Sequence, residues 1–276
     1  MTETLIILAA GASSRMKQSL SDASLGNIKS KALISLGKDN QPLLDYLLLN
    51  AQKAGYSTIY LVVGEAAEAF KKYYENNSYF SELTIRFATQ HIPNERSKPF
   101  GTADAVLQTL EQFPELQRQT FSVCNADNLY SSEALEAVRR TDSPQAFISY
   151  DRNGLQFSTE RISAFALVIL DPGSYLTHIV EKPNPSELEP YRQLDGSFRV
   201  SMNLWKLDGA KIYPFLKNCP VHRERNEKEL PTAILNMIRD YPKSVLAIPF
   251  NEHVPDLTSI EDIAVLKKYI DDHFSS

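Results

Sequence analysis

The stretch Leu8-Ala-Ala-Gly-Ala-Ser-Ser-Arg-Met16 is the first place in this chain where residue types and spacing suggest chemistry. Its small residues let a backbone approach a phosphate closely, and the amides of Gly11 to Ser14 can point at phosphate oxygens. Arg15 adds a planar, forked cation that matches phosphate geometry. Lys31 is a second candidate cation further along. The plainer reading of the same residues is a tight strand-to-helix turn carrying a surface arginine. Two named phosphate motifs are missing. No GxxxxGK[ST] occurs, and Gly11 stands alone where a dinucleotide fingerprint needs GxGxxG.

Asp127, just after the apolar run Phe121-Ser-Val-Cys124, is a second candidate. A carboxylate at a strand end beside a polyphosphate suits Mg²⁺, which favours one or two carboxylates plus phosphate oxygens. The same Asp could instead cap the next helix, for which Ser131 and Ser132 are equal candidates. Gln90 carries an amide that donates and accepts, as the edge of a nucleobase requires. It could also be a surface residue near a helix start capped by Thr102. His91, His178, His222, His253 and His273 show no ligand spacing, and neither HExxH nor GxSxG occurs, so zinc and serine-nucleophile chemistry are not expected. Cys124 and Cys219 lie far apart, form no CxxC and read as reduced packing residues.

These groups need elements to hold them. Apolar runs at Leu5–Ala9, Thr58–Val63, Leu83–Ala88 and Phe121–Cys124 read as strands. They alternate with helical spacing at Pro42–Ala54, Glu65–Tyr74 and Thr102–Phe113. Such alternation predicts parallel pairing with helices on both faces of the sheet, a three-layer α/β sandwich. After about residue 144 the strands come closer together: Ala146–Tyr150, Ala164–Leu170, Thr177–Glu181 and Arg199–Lys206. They read as antiparallel additions, giving a mixed, mainly parallel central sheet. Ile212–Leu216 and Leu230–Tyr241 read as helices, Val245–Pro249 as a late strand and Ile260–His273 as a closing helix. Ser19–Ser30, Asn184–Ser197 and Cys219–Lys228 read as polar loops, and the mixed charges of His222–Glu229 as a solvated one. No linker divides the chain, so a single domain is expected, with lobes at about 1–144 and 145–276.

Composition bounds the answer. The 276 residues carry a formal net charge of -5, which argues against a general nucleic-acid binder. A hydrophobic share of 43% is enough for a real core and excludes a mostly disordered chain. Apolar runs such as Phe165–Leu170 fall far short of the roughly 20 residues a membrane span needs. Met1-Thr-Glu-Thr lacks the positive start of a signal peptide. No membrane association and a cytoplasmic location are expected.

Taken in order, the motifs resemble those of the sugar-1-phosphate nucleotidyltransferases, or NDP-sugar pyrophosphorylases. Leu8 to Met16 followed by Lys31 resembles the loop with which that family wraps a triphosphate. The resemblance implies contacts from Leu8, Ala10, Gly11, Ala12 and Arg15, with Arg15 and Lys31 stabilising charge on the transferring phosphate and leaving pyrophosphate. Gln90 followed by Pro99-Phe-Gly-Thr-Ala resembles the family's base-reading segment, in which Gly101 lets the base lie on the backbone beside Pro99 and Thr102. Asp127 matches the family's first metal ligand, although Ala126 stands where many members have Gly. Val180-Glu-Lys-Pro183 implies that Glu181 bonds sugar hydroxyls and Lys182 the sugar phosphate. Ser201-Met-Asn-Leu-Trp205 is a looser match that puts Asn203 against the acceptor. Val254-Pro-Asp256-Leu-Thr-Ser-Ile-Glu-Asp262 resembles the turn bearing the second metal ligand, Asp256, although Leu257 and Ser259 interrupt the usual pattern. Phe165-Ala-Leu167 replaces the Tyr-Gly-Val of many members, and Ala166 brings a methyl group toward the acceptor.

The resemblance therefore implies a Rossmann-like nucleotide-diphospho-sugar transferase fold and a Mg²⁺-dependent enzyme. Its substrates would be an NTP, a pyrimidine being favoured, and a phosphorylated sugar. The catalytic residues would be Arg15, Lys31, Asp127 and Lys182. Alternatives are a cytidylyltransferase acting on a phospho-alcohol such as choline phosphate, and a non-catalytic nucleotide-sensing subunit. A glycosyltransferase of related fold usually needs a DxD motif, which Asp127-Asn128-Leu129 does not supply.

Overall fold

The computed structural model describes residues 1–11, 31–37, 41–64, 67–75, 77–181, 183–184 and 188–274. Ala12, Arg15 and Lys182 lie outside them, as do Ser19–Ser30, Glu65 and the side chain of Lys31.

The apolar runs build one sheet whose path is β3-β2-β1-β4-β8-β5-β9, with a β6–β7 hairpin joined to β8. The strands are β1 (Thr4–Leu8), β2 (Thr58–Val63), β3 (Thr84–Thr89), β4 (Thr120–Asn125), β5 (Ala146–Asp151), β6 (Leu167–Leu170), β7 (Leu176–Val180), β8 (Arg199–Asp208) and β9 (Leu246–Phe250). Strands β1 to β4 pair in parallel, as the strand–helix alternation predicts. Strand β8 runs antiparallel to both β4 and β5, and β9 returns parallel to β5. The helices are α1 (Leu43–Lys53), α2 (Ala67–Tyr74), α3 (Thr102–Gln112), α4 (Ser132–Arg140), α5 (Thr159–Ser163), α6 (Gly209–Lys217), α7 (Leu230–Asp240) and α8 (Glu261–Phe274).

The period of two along a strand sorts the core onto two faces. Leu5 and Ile7 of β1 join α1, α2, α4 and α8 in one cluster. Ile6 between them joins α3, α6 and α7 in the other. Three layers result because every inner strand is apolar on both sides.

Two elements depart from the sequence reading. The expected strand Ala164–Leu170 begins only at Leu167. The chain before it forms α5, because the Ser158 hydroxyl accepts from the Arg161 amide and caps that turn. Helix α4, not assigned to a range from spacing, is capped by Ser131, whose Oγ accepts from Ala134 N–H at 3.0 Å. Asp127 is therefore not needed as a cap.

Strand β8 is central, so Asn203 is not an edge-strand residue. The β5–β8 register slips between Phe147 and Ser149. Asn203 lies at the slip with φ of 59°, a left-handed conformation that Asn tolerates better than most residues. A bulge of this kind re-aims a side chain out of the regular pleat.

Trp205 is fully buried and stacks on Phe147 with ring centroids 4.8 Å apart, while its indole N–H has no hydrogen-bond partner. Trp205→Ala is expected to cost about 3–5 kcal/mol in urea denaturation, through lost burial and a cavity. Trp205→Phe should cost less than Trp205→Ala, because one ring stays to fill the site and no hydrogen bond is lost with the indole.

Candidate active site

Strand order reverses between β1 and β4, since β1 leads to β2 on one side and β4 lies on the other. Ligands of open α/β sheets sit beyond the carboxyl ends of the strands at such a point. The backbone fixes the two ends side by side: Ala9 N–H donates to Val62 O at 2.8 Å and Ala126 N–H to Leu8 O at 3.1 Å. Ala10 and Gly11 leave this edge as half-buried and exposed residues, and no atom of the described residues lies within contact of where a Gly11 side chain would be.

The C-terminal quarter of the chain comes back to the same place. Residues 127–129 and 255–257 form an antiparallel bridge, with Leu129 N–H donating to Pro255 O and Leu257 N–H to Asp127 O, each at 2.8 Å. The bridge brings together the two carboxylates expected as metal ligands, Asp127 and Asp256. Burial, followed by the nearby charge of Asp127, raises the pKa of Asp256 above the usual carboxylate range.

Asp256 has a partner that spacing did not reveal. Arg161 of α5 donates to Asp256 Oδ2 at 2.7 Å and to Asp262 Oδ1 at 2.6 Å. Despite burial, backbone bonds from Ser259 and Thr258 and the Arg161 guanidinium hold Asp262 below its ordinary pKa. The only sequence signal for Arg161 is Ser158 three residues before it, a cap residue in a stretch assigned to no element.

A cavity of about 900 Å³ opens over this region. Its walls include Ala166, Glu181, Asn203, Asp256 and Thr102, so the structure brings these sequence candidates to one space. Arg225 and Glu229 also line it, and Arg225 bridges Glu229 to Glu181, the latter at 3.5 Å. Arg225, Glu227 and Glu229 of the segment His222–Glu229 line the cavity, while Arg223 to Asn226 are exposed, as a solvated loop requires. Lys228 N–H donates to Phe100 O at 2.7 Å, and Ala103 N–H to Lys228 O at 3.0 Å.

That docking alters the reading of Pro99 to Thr102. Gly101 precedes α3 with φ of 99°, and a Cβ there would collide with Lys228 O. The missing side chain makes room for the 219–229 loop on that face. Thr102 does not cap the helix; its hydroxyl accepts from Leu230 N–H at 2.9 Å. Gln90 is not a surface residue, being only 4% exposed. Its amide donates to Gly101 O at 3.0 Å and to Asp104 Oδ2 at 2.8 Å. Asp104 is an acceptor when ionised, which fixes the amide orientation and leaves Oε1 without a partner among the described residues.

A family model described as nucleotidyl transferase matches residues 4–237. The chain belongs to the nucleotidyl transferase family. Within it, the chain is 23% identical over 245 residues to the bifunctional protein GlmU of Staphylococcus epidermidis, covering 88% of this chain and 47% of that protein. It is 24% identical over 182 residues to the glucose-1-phosphate adenylyltransferase of Thermodesulfovibrio yellowstonii, covering 64% of this chain and 42% of that one. The chain thus spans about half the length of the curated relatives it matches. The crystal structure of UDP-glucose pyrophosphorylase complexed with UDP-glucose superposes with a TM-score of 0.74 at 17% identity, covering 99% of both chains. That match establishes the same α/β nucleotide-diphospho-sugar transferase fold. Among the described residues, no helix is long and apolar enough to cross a membrane.

Two expectations follow from the site. Gly101→Ala should lower stability by about 1–3 kcal/mol in urea denaturation through backbone strain alone, with the Lys228 contact adding to it. His253, on the cavity wall, is edge-on to Phe157 and accepts from Gln156 N–H through Nδ1 at 3.2 Å. Burial, then the charge of Arg161, lowers its pKa from 6.5 to about 4. Between those values the unfolded chain binds a proton that the folded chain does not. Its contribution is therefore complete above about pH 6.5 and is lost as pH falls toward 4. Urea midpoints at pH 7 and pH 5 should differ less in His253→Gln than in the unaltered chain.

Proposed function

We propose that this chain couples an NTP to a sugar-1-phosphate, giving an NDP-sugar and pyrophosphate. The observation that carries this reading is the backbone bridge that brings Asp127 and Asp256 together at the β1/β4 switch point, beside the 900 Å³ cavity. Family membership and the names of the relatives support it.

The donor set suits Mg²⁺. Two carboxylates offer hard oxygens, and among the described residues no group of three or more His, Cys, Asp or Glu side chains forms a complete metal cage. Mg²⁺ characteristically takes one or two carboxylates and completes its shell with phosphate oxygens and water. When bound by Asp127 and Asp256, it would supply charge neutralisation at the polyphosphate.

The chain's own residues do the rest by positioning and electrostatics. The β1 loop, with Arg15 and Lys31, binds the triphosphate. Gln90 offers Oε1 to the base, which fits the N3–H of uracil or thymine, and UTP or dTTP is the favoured donor. Glu181, Asn203 and Lys182 hold the acceptor beneath Ala166. A phosphate oxygen of the acceptor attacks the α-phosphorus in line. The bond from the α-phosphorus to the bridging oxygen breaks, and that oxygen leaves with pyrophosphate. No enzyme nucleophile is needed, because the attacking phosphate is already anionic near neutral pH. The two unpaired, buried cysteines agree with a reducing, cytoplasmic setting.

The test is pyrophosphate release with Mg²⁺, each NTP and a panel of sugar-1-phosphates. At least one pair should turn over. Asp127→Asn should then lower kcat by about 10²–10³, the loss expected for a major electrostatic contact. A folded chain that releases no pyrophosphate with any pair refutes the activity. Full turnover by Asp127→Asn refutes the metal assignment.

A further inference from the structure

Asp256 is held in an uneven way. Its Oδ2 carries both side-chain contacts, accepting from Arg161 at 2.7 Å and from the Thr258 hydroxyl at 2.8 Å. Its Oδ1 accepts no hydrogen bond among the described residues. Arg161 is itself immobilised on three sides. Its other terminal nitrogen bonds Asp262 Oδ1 at 2.6 Å, its guanidinium lies 4.4 Å from the Phe157 ring centroid, and α5 fixes its backbone. The second oxygen of Asp262 accepts from Thr258 N–H at 2.8 Å and Ser259 N–H at 2.7 Å, tying the group to the turn that starts α8. Arg161 and Asp256 expose only 25% and 14% of their side chains.

From this arrangement we infer that Arg161 is a positioning residue for the divalent cation: it fixes one oxygen of Asp256 so that the other is kept as the ligand atom. The inference rests on the metal reading given above. Arg suits the task because its planar fork bonds two carboxylates at once and its charge offsets the buried Asp256 carboxylate. A lysine ammonium could occupy only one such position and would be freer to drift toward the cation site. Groups that orient a metal ligand from behind are typically worth 10–100-fold in metal affinity.

Mn²⁺, read by the electron paramagnetic resonance signal of the free ion, tests this without turnover. Arg161→Gln is expected to weaken Mn²⁺ binding by about 10–100-fold. Arg161→Lys should lose less, since one bond and the charge persist. The Mg²⁺ concentration giving half-maximal turnover should rise in the same order. Asp262→Asn leaves the Arg161–Asp256 pair in place but loosens Arg161, so Mn²⁺ affinity should fall less than in Arg161→Gln. A merely structural clamp predicts stability lost in all three variants with Mn²⁺ affinity untouched. Parent-like or tighter Mn²⁺ binding by a folded Arg161→Gln overturns the inference. Should that variant not fold, Arg161→Lys decides: affinity equal to the parent overturns it, and a loss supports it. If the unaltered chain binds no Mn²⁺, the metal reading itself fails, which is a distinct result from a parent that binds and a variant that binds equally well.

Discussion

The site depends on two backbone hydrogen bonds, Leu129 N–H to Pro255 O and Leu257 N–H to Asp127 O. They join the carboxyl end of a strand in the N-terminal half to a turn more than a hundred residues later. Everything chemical about the site is downstream of that junction. It sets two carboxylates near one another in a half-buried place, an arrangement that is costly for two anions alone and favourable around a cation. The sheet supplies the rigid base, because β1 and β4 pair directly and deliver their ends to the same edge.

The second organising contact is the docking of residues 225–230 on Phe100 to Ala103. One side of that short stretch meets the segment expected to read the base, through Lys228 and Leu230. The other side reaches Glu181, expected to hold the acceptor, through Arg225. The walls of the two proposed substrate regions are therefore parts of one connected piece of structure. A close approach at Gly101 makes this possible, since any side chain there would collide with the Lys228 carbonyl.

Much of this architecture was legible in the sequence, for identifiable reasons. Strands β1, β2 and β4 are continuous apolar runs ending in small or polar residues, which is how doubly covered parallel strands read. The meeting of Asp127 and Asp256 was legible only through family resemblance, because no local pattern encodes a contact between residues so far apart. Arg161 was legible only as a residue three positions after a serine able to cap a turn. Its role comes from a five-residue helix, too short to leave a periodic signal, and from carboxylates a hundred positions away. Gln90 illustrates a subtler limit: its amide was read as donor and acceptor, yet folding engages both hydrogens with Gly101 and Asp104. The charge pattern of His222–Glu229 matches the exposure of Arg223 to Asn226 but is silent on the docking against Phe100, which backbone atoms make and side-chain composition does not report.

The long antiparallel strand β8 has a bearing on how such a chain is made. It covers the edge of β4 with residues that emerge some eighty positions later. Until Trp205 to Asp208 arrive, a growing chain holds three parallel strands and β4 with an unpaired, apolar edge at Thr120–Val123. An open edge of that kind invites pairing with other chains. The same strand that lines the cavity with Asn203 thus also closes the nascent sheet, so damage to β8 would be felt first as aggregation during synthesis rather than as lost function.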